Sequence, residues 1–328
     1  MPELPEVESV RRGLADWLPG ACVDAVRLYD PRILGTTSQR AISPAAAEAF
    51  ATGITGAGFG VPARRGKFLW VPLAGTGEMP ERALSVHLGM SGQFRIHEPG
   101  DPVHRHTRAD FTCFSPDGRE FALRFVDQRI FGHLGIDELT VPGRWRSRLP
   151  VPAQMAHIAP DPLEESTDLD AIARVVKTKR SAIKSVLLDQ RVLSGIGNIY
   201  ADEALHRAGV HPLAHAARLR ISRVRAVLES AREVMLEALE QGGTSFDALY
   251  VNVNGESGYL DIDVERVEGS RAHEGRDCLC RASAMRRQAI LRSDLARRAL
   301  DKQLNGPAHL VAHRHKVGSR SLRGVACA

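Results

Sequence analysis

The stretch KRSAIKSVLLDQRVLSGIGNIYADEALHRAGVHP, residues 179–212, decides how the second half of this chain folds. Apolar residues recur three or four positions apart over 181–190 and 198–208, which predicts two helices. The SGIGN segment joins them, where Gly195 and Gly197 permit tight turns and Asn198 is expected to cap the second helix. Free amides at such a helix start favour an anion. A Gly-x-Gly-Asn pattern alone is weak support for any site.

Helical periodicity extends to both sides of this stretch, over residues 168–177 and 221–241. Before it, five prolines between residues 140 and 162 break the pattern and indicate a linker. Gly209 and the Gly242-Gly243 pair stand where helices are expected to stop. The second half of the chain is therefore predicted to be helical.

The first 135 or so residues are predicted to be mainly β, preceded by one helix at residues 4–15. In that helix Leu4, Val7, Val10 and Leu14 share one face. Strand patterns are predicted at residues 21–30, 67–73, 83–96 and 110–126. The last two segments each predict an adjacent pair of strands, the second turning at Pro116-Asp117-Gly118.

Composition is that of an ordinary globular protein, with 43% hydrophobic and 25% charged residues. No stretch approaches the ~18 apolar residues of a membrane span. The start, MPELPEVESV, lacks the apolar core of a signal peptide. Five cysteines form no disulfide framework in a chain of 328 residues. These features predict a protein of the cytoplasm without a membrane partner.

Positive charge is concentrated at the end of the chain. From Arg271 to Ala328, 13 Lys and Arg residues stand against 4 Asp and Glu residues, a local net charge of +9. The preceding residues carry a net charge of −4. Such a tail suits a polyanion such as the nucleic-acid backbone, although a solvated tail without a specific partner has the same composition.

Pro2 and Glu3 suggest covalent chemistry. Removal of Met1 leaves Pro2 with a free secondary amine, whose pKa near ~7.7–8.0 makes it a better nucleophile at neutral pH than lysine. Attack on a sugar C1′ expels the base and leaves an iminium ion, with Glu3 beside it as a proton donor. Glu6 lies one helical turn further along the same face. An ordinary helix start, in which Pro2 only opens the helix and the glutamates face its dipole, remains the second interpretation.

MPELPEVESVRRGL closely resembles the amino terminus of formamidopyrimidine-DNA glycosylases, bacterial base-excision enzymes for oxidised purines. The resemblance continues in order over about four-fifths of the chain. It covers RRGKFLW around Lys67, HLGMSG at 87–92, DQRIFG at 127–132, PDPLE at 160–164, residues 179–212 and GGTSF at 242–246.

The resemblance implies roles for individual residues. Pro2 matches the Schiff-base nucleophile, Glu3 the general acid and Glu6 a second carboxylate near the sugar of the extruded nucleotide. Lys67 matches a strand lysine that contacts phosphates beside the lesion, and it completes the catalytic set. GTSFDALYVNVNGESGYL, residues 243–260, occupies the place of the loop that closes over the extruded base.

The remaining candidates are implied to bind DNA. Met90 resembles the family's void-filling methionine. Arg129 and Phe131 resemble the pair that reads the orphaned base and wedges into the stack. Many relatives carry a second arginine at the place of Ile130, so one phosphate contact is either absent here or supplied elsewhere. Further DNA-binding candidates are Lys184, Asn198, which matches a phosphate-gripping asparagine, and Arg292.

The family usually ends in a four-cysteine zinc finger, and here the pattern breaks. Cys278-Leu279-Cys280 leaves a one-residue gap, and the next cysteine is Cys327. The histidines nearby have no recognisable metal spacing, so no metal ligand and no cofactor are predicted. AMRRQAILRS at 284–293 still resembles the finger hairpin, where Arg292 falls at the DNA-entering arginine if counted from Cys280. The finger is then zincless, degenerate, or replaced through an altered reading frame.

The sequence thus predicts a multidomain α+β protein. It has an N-terminal β-sandwich with a leading helix, a C-terminal helical domain with a helix–two-turn–helix, and a degenerate finger region. The predicted domains are a catalytic β-sandwich at 1–135, an interdomain linker at 136–162, a helix–two-turn–helix DNA-binding domain at 163–268 and an atypical zinc-finger-like basic tail at 269–328.

The function implied is a bacterial, nucleoid-associated and monomeric base-excision repair glycosylase. It would remove 8-oxoguanine and formamidopyrimidines from double-stranded DNA, with AP lyase activity by β,δ-elimination. One alternative is an endonuclease VIII-type glycosylase for oxidised pyrimidines. The amino-terminal motif argues against it, because it reads PELPEV and not PEGPE. The other is an inactive protein that binds damaged DNA.

Overall fold

A computed structural model describes residues 2–35, 43–74, 80–143 and 148–240. All of these belong to one compact unit. Several predictions concern residues outside these ranges. They are Arg292, the loop at 243–260, the cysteines at 278, 280 and 327, and the whole predicted tail at 269–328. No helix in the described ranges is both long and apolar enough to cross a membrane.

Helix α1, Leu4–Ala15, opens the chain with Pro5 in its first turn. Pro5 fits there because the first amides of a helix have no partner inside the helix. Leu4, Val7, Val10 and Leu14 are fully buried, which confirms the predicted apolar face. This burial leaves the first residues of α1 anchored between the sheet and the later helices.

Ten strands in the described ranges form one antiparallel sheet. They are β1 Cys22–Leu28, β2 Gly58–Phe59, β3 Ala63–Arg65, β4 Phe68–Ala74, β5 Arg82–His87, β6 Gly92–His97, β7 Thr107–Phe114, β8 Glu120–Asp127, β9 His133–Thr140 and β10 Val151–Pro152. Their order is β10-β9-β5-β4-β2-β1-β7-β8-β6, with β3 paired to β4. Leu84 of β5 and Phe94 of β6 lie in one apolar cluster although the sheet places them far apart. The sheet therefore closes over a shared core, and the predicted β-sandwich with a leading helix is confirmed.

The expected pairing within residues 83–96 is wrong. β5 pairs with β4 and β9, whereas β6 pairs with β8. HLGMSG therefore contains a loop that leads from β5, the third strand in the order, to β6, the last strand. The pairing within residues 110–126 is correct, because β7 pairs with β8 and Gly118 takes the turn with φ +83°.

One helix was absent from the prediction for the β-rich half. Helix α2, Pro44–Ile54, begins after Ser43, whose hydroxyl accepts the N–H of Ala46. Phe50 and Ile54 bury its inner face against the sheet. Ser43-Pro44 is a helix-start signal, since the serine caps the helix and proline suits its first position.

The second half is helical, as predicted. Its helices are α3 Leu169–Thr178, α4 Ile183–Leu187, α5 Asn198–Arg207 and α6 Ile221–Glu240. One apolar cluster joins them and includes Tyr200 of α5 and Leu4 of α1. The proline-rich segment before α3 packs closely: Val151 pairs with Thr140, and Asp161 is fully buried. The domain boundaries stay a prediction.

Candidate active site

The carboxylate of Glu3 lies at the start of α5. Its Oε2 accepts the N–H of Gly197 at 2.5 Å and its Oε1 accepts the N–H of Ile199 at 2.9 Å. The N–H of Tyr200 lies 3.4 Å from Oε2. Three amides of a helix start thus converge on one carboxylate, where the positive end of the helix dipole favours it. The first helix of one half is locked to the helix–two-turn–helix segment of the other.

This arrangement corrects the expectation for Asn198. The residue that caps α5 is Gly197, and Asn198 is the first residue of the helix with an exposed side chain. The anion that the SGIGN turn receives in this structure is the Glu3 carboxylate. A Cβ on Gly197 would lie 2.3 Å from Cδ of Glu3, so only glycine lets the carboxylate approach these amides.

Glu6 is placed by two hydrogen bonds. The N–H of Glu3 donates to its Oε2 at 2.8 Å, and the hydroxyl of Tyr200 donates to its Oε1 at 3.0 Å. Both glutamates are buried, and so is Pro2 beside them. The structure therefore places three of the predicted catalytic residues in one buried cluster.

Lys67 belongs to a turn and not to the predicted strand at 67–73. It follows Gly66 in the two-residue hairpin turn between β3 and β4, and Gly66 takes the positive φ of +58° that such turns require. A Cβ on Gly66 would lie 2.5 Å from Oγ of Ser194, so the turn packs directly on the segment before α5. The turn thereby brings Lys67 to the two glutamates.

Lys67 is buried, and it makes no hydrogen bond to another residue of the described ranges. Its burial lowers the pKa of the ammonium, while Glu3 and Glu6 oppose that change. Burial likewise raises the pKa of Glu3, and the charge of Lys67 is the largest opposing effect. A carboxyl group with a raised pKa holds its proton to higher pH than an ordinary glutamate does, which suits a general acid.

A buried ion network fixes the turn that carries Lys67. Asp161 Oδ2 accepts the N–H of Gly66 at 2.8 Å and an N–H of Arg64 at 2.7 Å. Arg64 also donates to Glu8 Oε2 at 3.0 Å. The aspartate of the PDPLE segment, the turn and α1 are therefore held together by one buried arginine.

A second group of predicted residues lies on two neighbouring loops. The guanidinium of Arg129 lies 3.8 Å from the sulfur of Met90, and both side chains have access to solvent. Phe131 is 50% exposed on the same loop as Arg129. An exposed phenylalanine, a cation and a flexible thioether at one edge are suited to entering a base stack.

The two groups are linked through aromatic contacts. Phe68, next to Lys67, lies 5.3 Å from the ring of His87, which begins the HLGMSG motif that contains Met90. His87 in turn stacks on His133 at 5.0 Å. The loop candidates thus sit on the same end of the sheet as the lysine turn.

Lys184 makes its ion pair with a residue of neither group. Its ammonium pairs with Asp202 of α5 at 2.8 Å. This surface pair is partly exposed, so a phosphate could compete with Asp202 for the ammonium. Binding of DNA by Lys184 and Asn198 stays a prediction, as does that of Arg292 outside the described ranges.

Sequence reasoning gave no role to several residues that build the site. They are Glu8, Arg64, Ser91, Asp127, Asp161 and Tyr200. All six lie within the motifs that carry the family resemblance, yet a local pattern does not reveal which distant group a polar side chain meets.

Zinc fits poorly with the donor set of this chain. A structural zinc site needs four ligands, and the sequence offers Cys278 and Cys280 without a second matching pair. Within the described ranges no cluster of three or more His, Cys, Asp or Glu side chains is arranged to hold a metal ion.

Comparison with known proteins gives a consistent result. A family model described as the formamidopyrimidine-DNA glycosylase N-terminal domain matches residues 1–134, and one described as the formamidopyrimidine-DNA glycosylase H2TH domain matches residues 158–248. Formamidopyrimidine-DNA glycosylase of Rhodococcus opacus is 48% identical over 292 residues, which is 89% of this chain and 93% of that protein. The Corynebacterium efficiens protein of the same name is 46% identical over 266 residues, 80% of this chain and 87% of its own length.

Solved structures agree with these relatives. A complex of Lactococcus lactis Fpg with DNA containing an abasic site superposes with a TM-score of 0.61 at 25% identity, over 78% of this chain and 84% of that one. A complex of the LlFpg protein with a THF-DNA and an inhibitor gives a TM-score of 0.63 at 26% identity, over 79% and 85%.

Proposed function

The chain belongs to the formamidopyrimidine-DNA glycosylase family of base-excision repair enzymes, and from this premise we propose its substrates and its mechanism. It removes oxidised purines, 8-oxoguanine and formamidopyrimidines, from double-stranded DNA. It then cleaves the strand on both sides of the sugar by β,δ-elimination. It acts as a monomer in the bacterial cytoplasm.

Pro2 supplies the nucleophile once Met1 has been removed. Its nitrogen forms a bond to C1′ of the sugar, and the bond from C1′ to the base breaks, so that the base leaves with a proton. The C1′–O4′ bond opens, O4′ takes a proton, and the amine becomes an iminium ion. The iminium acidifies C2′, and loss of that proton expels the 3′ phosphate. A second elimination expels the 5′ phosphate, and water then releases the sugar remnant from Pro2.

The observation that supports this proposal best is the burial of Glu3 between Pro2 and the start of α5. A glutamate that only faced a helix dipole would lie exposed on the first turn of its own helix. Here its carboxylate is held by a distant helix and its pKa is raised by burial. Such a group suits the delivery of a proton to O4′ or to the departing base.

The remaining groups suit the handling of DNA. Within the described ranges no residue accepts a hydrogen bond from the buried ammonium of Lys67. This favours a contact between the ammonium and a phosphate of the substrate strand. Base extrusion costs a few kcal/mol of lost stacking, and side chains that fill the gap offset that cost. Met90, Arg129 and Phe131 share the loop edge that fits this task.

Borohydride trapping tests the proposal. The protein, with loss of Met1 verified by mass spectrometry, is mixed with duplexes containing 8-oxoguanine, an oxidised pyrimidine or no lesion. We expect a covalent adduct on the 8-oxoguanine duplex, and peptide mapping is expected to place it on Pro2. Pro5→Ala, a change at the next proline of the chain, is the matched control and should retain the adduct.

The other outcomes point to other functions. An adduct formed only with oxidised pyrimidines indicates an endonuclease VIII-type activity. Tight binding to damaged duplexes without any adduct indicates a protein that only binds damaged DNA. An adduct mapped to a lysine contradicts the assignment of Pro2.

A further inference from the structure

Two loops cross side by side at the edge that carries Met90 and Phe131. The 88–91 loop runs from β5 to β6, and the 128–132 loop runs from β8 to β9. Because β5 pairs with β9 and β6 with β8, both loops make the same crossing in opposite directions. They touch through their backbones: a Cβ on Gly89 would lie 2.4 Å from the carbonyl carbon of Phe131 and from the nitrogen of Gly132.

The carboxylate of Asp127 ties these loops together. It is fully buried at the end of β8, and Oδ1 accepts the hydroxyl of Ser91 at 2.5 Å and the N–H of Arg129 at 3.1 Å. Oδ2 accepts the N–H of Gly132 at 2.7 Å. The N–H of Arg129 also lies 3.1 Å from the hydroxyl oxygen of Ser91. The Asp127 side chain therefore holds Ser91, which follows Met90. It also holds both ends of the 129–132 segment, which carries Arg129 and Phe131.

The backbone between these bonds is strained. Ile130 has φ +56°, the left-handed region that a β-branched residue rarely adopts. Such a conformation persists only where its surroundings impose it. Here the N–H groups on either side, of Arg129 and of Gly132, are both held by Asp127. The strained turn directs Arg129 towards the sulfur of Met90 and leaves Phe131 half exposed.

We propose that Asp127 is a positioning residue that sets the spacing of Met90 against Arg129 and Phe131, and thereby controls how the enzyme reads the base opposite the lesion. It acts through Ser91 and two backbone amides and does not itself touch DNA. The inference rests on the proposed function, because it presupposes that these three side chains enter the duplex. A carboxylate is required because both oxygens must accept, whereas an amide has one accepting oxygen and one donating nitrogen.

The test compares Asp127→Asn and Ser91→Ala with the unaltered protein. The first readout is the ratio of kcat/KM for 8-oxoguanine opposite cytosine to that opposite adenine. The second is the fluorescence of 2-aminopurine placed opposite a tetrahydrofuran abasic analogue, which reports side-chain insertion without any chemistry. Asp117→Asn is the matched control, since Asp117 also accepts a serine hydroxyl, that of Ser115, but in an exposed turn.

We expect Asp127→Asn to reduce excision opposite cytosine on the order of tenfold and to narrow the cytosine-to-adenine ratio, with a weaker 2-aminopurine signal. Ser91→Ala should change both readouts in the same direction by less. Ser91→Thr, which keeps the hydroxyl, should restore them. Trapping on a preformed abasic site should change less than excision of the damaged base.

The inference is overturned if folded variants lower excision opposite both bases equally and leave the fluorescence unchanged. If Asp127→Asn does not fold, Ser91→Ala decides by the same two readouts. Failure of the unaltered protein to form any adduct would count against the proposed function instead. The fluorescence comparison still distinguishes the loop geometry in that case.

Discussion

Glu3 accepts a hydrogen bond from the amide of Gly197, a residue 194 positions further along the chain. The carboxylate takes the place of a cap on a helix whose own capping residue has no side chain. The same bond orients the candidate general acid beside Pro2. This contact therefore serves both the placement of the candidate general acid and the fit between the two halves of the protein.

Gly197→Ala tests this contact. The added methyl group would lie 2.3 Å from Cδ of Glu3, so the carboxylate must move away from the amides. We expect a loss of about 1–3 kcal/mol in the free energy of unfolding, as for other overpacked sites. Excision should fall on the order of a hundredfold, within the range of general-acid effects. Urea unfolding and single-turnover excision measure the two changes.

Gly143→Ala is the matched control for that change, since no atom lies within 4 Å of the added carbon. It should leave stability and excision unaltered. An active Gly197→Ala protein with unaltered stability would contradict the role assigned to the contact.

The pH dependence of excision tests Glu3 as the acid. Because burial raises the pKa of Glu3, its proton is retained above the ordinary range of glutamate and is lost as pH rises through the raised pKa. The rate of excision should therefore fall as pH rises through the raised pKa of Glu3. Folding stability should depend on pH in the same direction as excision. The stability that this proton contributes is fully present below the ordinary glutamate pKa and is lost as pH rises through the raised pKa.

Lys67→Met should move the decline to higher pH, because the charge of Lys67 lowers the pKa of Glu3. The shift is read from the shape of the pH profile, whatever the change in maximal rate. Glu3→Gln should abolish the decline. A decline that stays in Glu3→Gln belongs to another group and refutes the assignment.

Glu8→Gln probes the buried ion network. Burial alone would raise the pKa of Glu8, but bonds to Arg11 and Arg64 outweigh it and lower the pKa to about 2. A shift of this size from the ordinary value corresponds to about 3 kcal/mol of stability at neutral pH. This stability is present above the ordinary glutamate pKa and is lost as pH falls from there towards about 2.

The free energies of unfolding of Glu8→Gln and the unaltered protein should therefore differ at pH 7 and converge in acid. Glu48→Gln, on helix α2, provides a comparison at an exposed glutamate and should change little. A difference that persists unchanged in acid would show that packing, and not charge, is lost.

Ile130→Arg tests whether this chain lacks a phosphate contact. An arginine that neutralises one more DNA phosphate should raise the affinity for duplex DNA. It should also steepen the slope of log K against log salt concentration by about 0.9. Ile130→Gln, of similar length without charge, controls for loss of the apolar side chain. An unchanged slope would show that this contact is already supplied elsewhere or lies out of reach.

Much of the fold followed from local pattern. The apolar face of α1, the turn at 116–118 and the helices around SGIGN depend on residues close together in sequence, and the structure confirms them. Helix α2 carried an equally local signal in Ser43-Pro44, which the strand patterns on either side obscured.

The errors concern partners far apart in sequence. A helix start attracts a carboxylate by the same physics as a phosphate, so the SGIGN turn alone did not reveal that Glu3 takes its amides. Alternating strands around HLGMSG looked like a hairpin because periodicity records which face a residue occupies and not which strand lies next to it. The role of Asp127 was hidden for the same reason, since its partners lie in two loops that only the sheet topology brings together.

Two long-range hydrogen bonds also determine when the site can form during synthesis on the ribosome. They join Gly66 to Asp161 and Glu3 to Gly197. A nascent chain of 150 residues already contains Pro2, Glu3 and Lys67, yet neither the aspartate that fixes the lysine turn nor the amides that hold the acid have been made. The arrangement of Pro2, Glu3 and Lys67 is therefore completed only after residue 197 has emerged and α5 has docked. Synthesis from the amino terminus thus produces the proposed nucleophile first and the residues that hold its neighbours last.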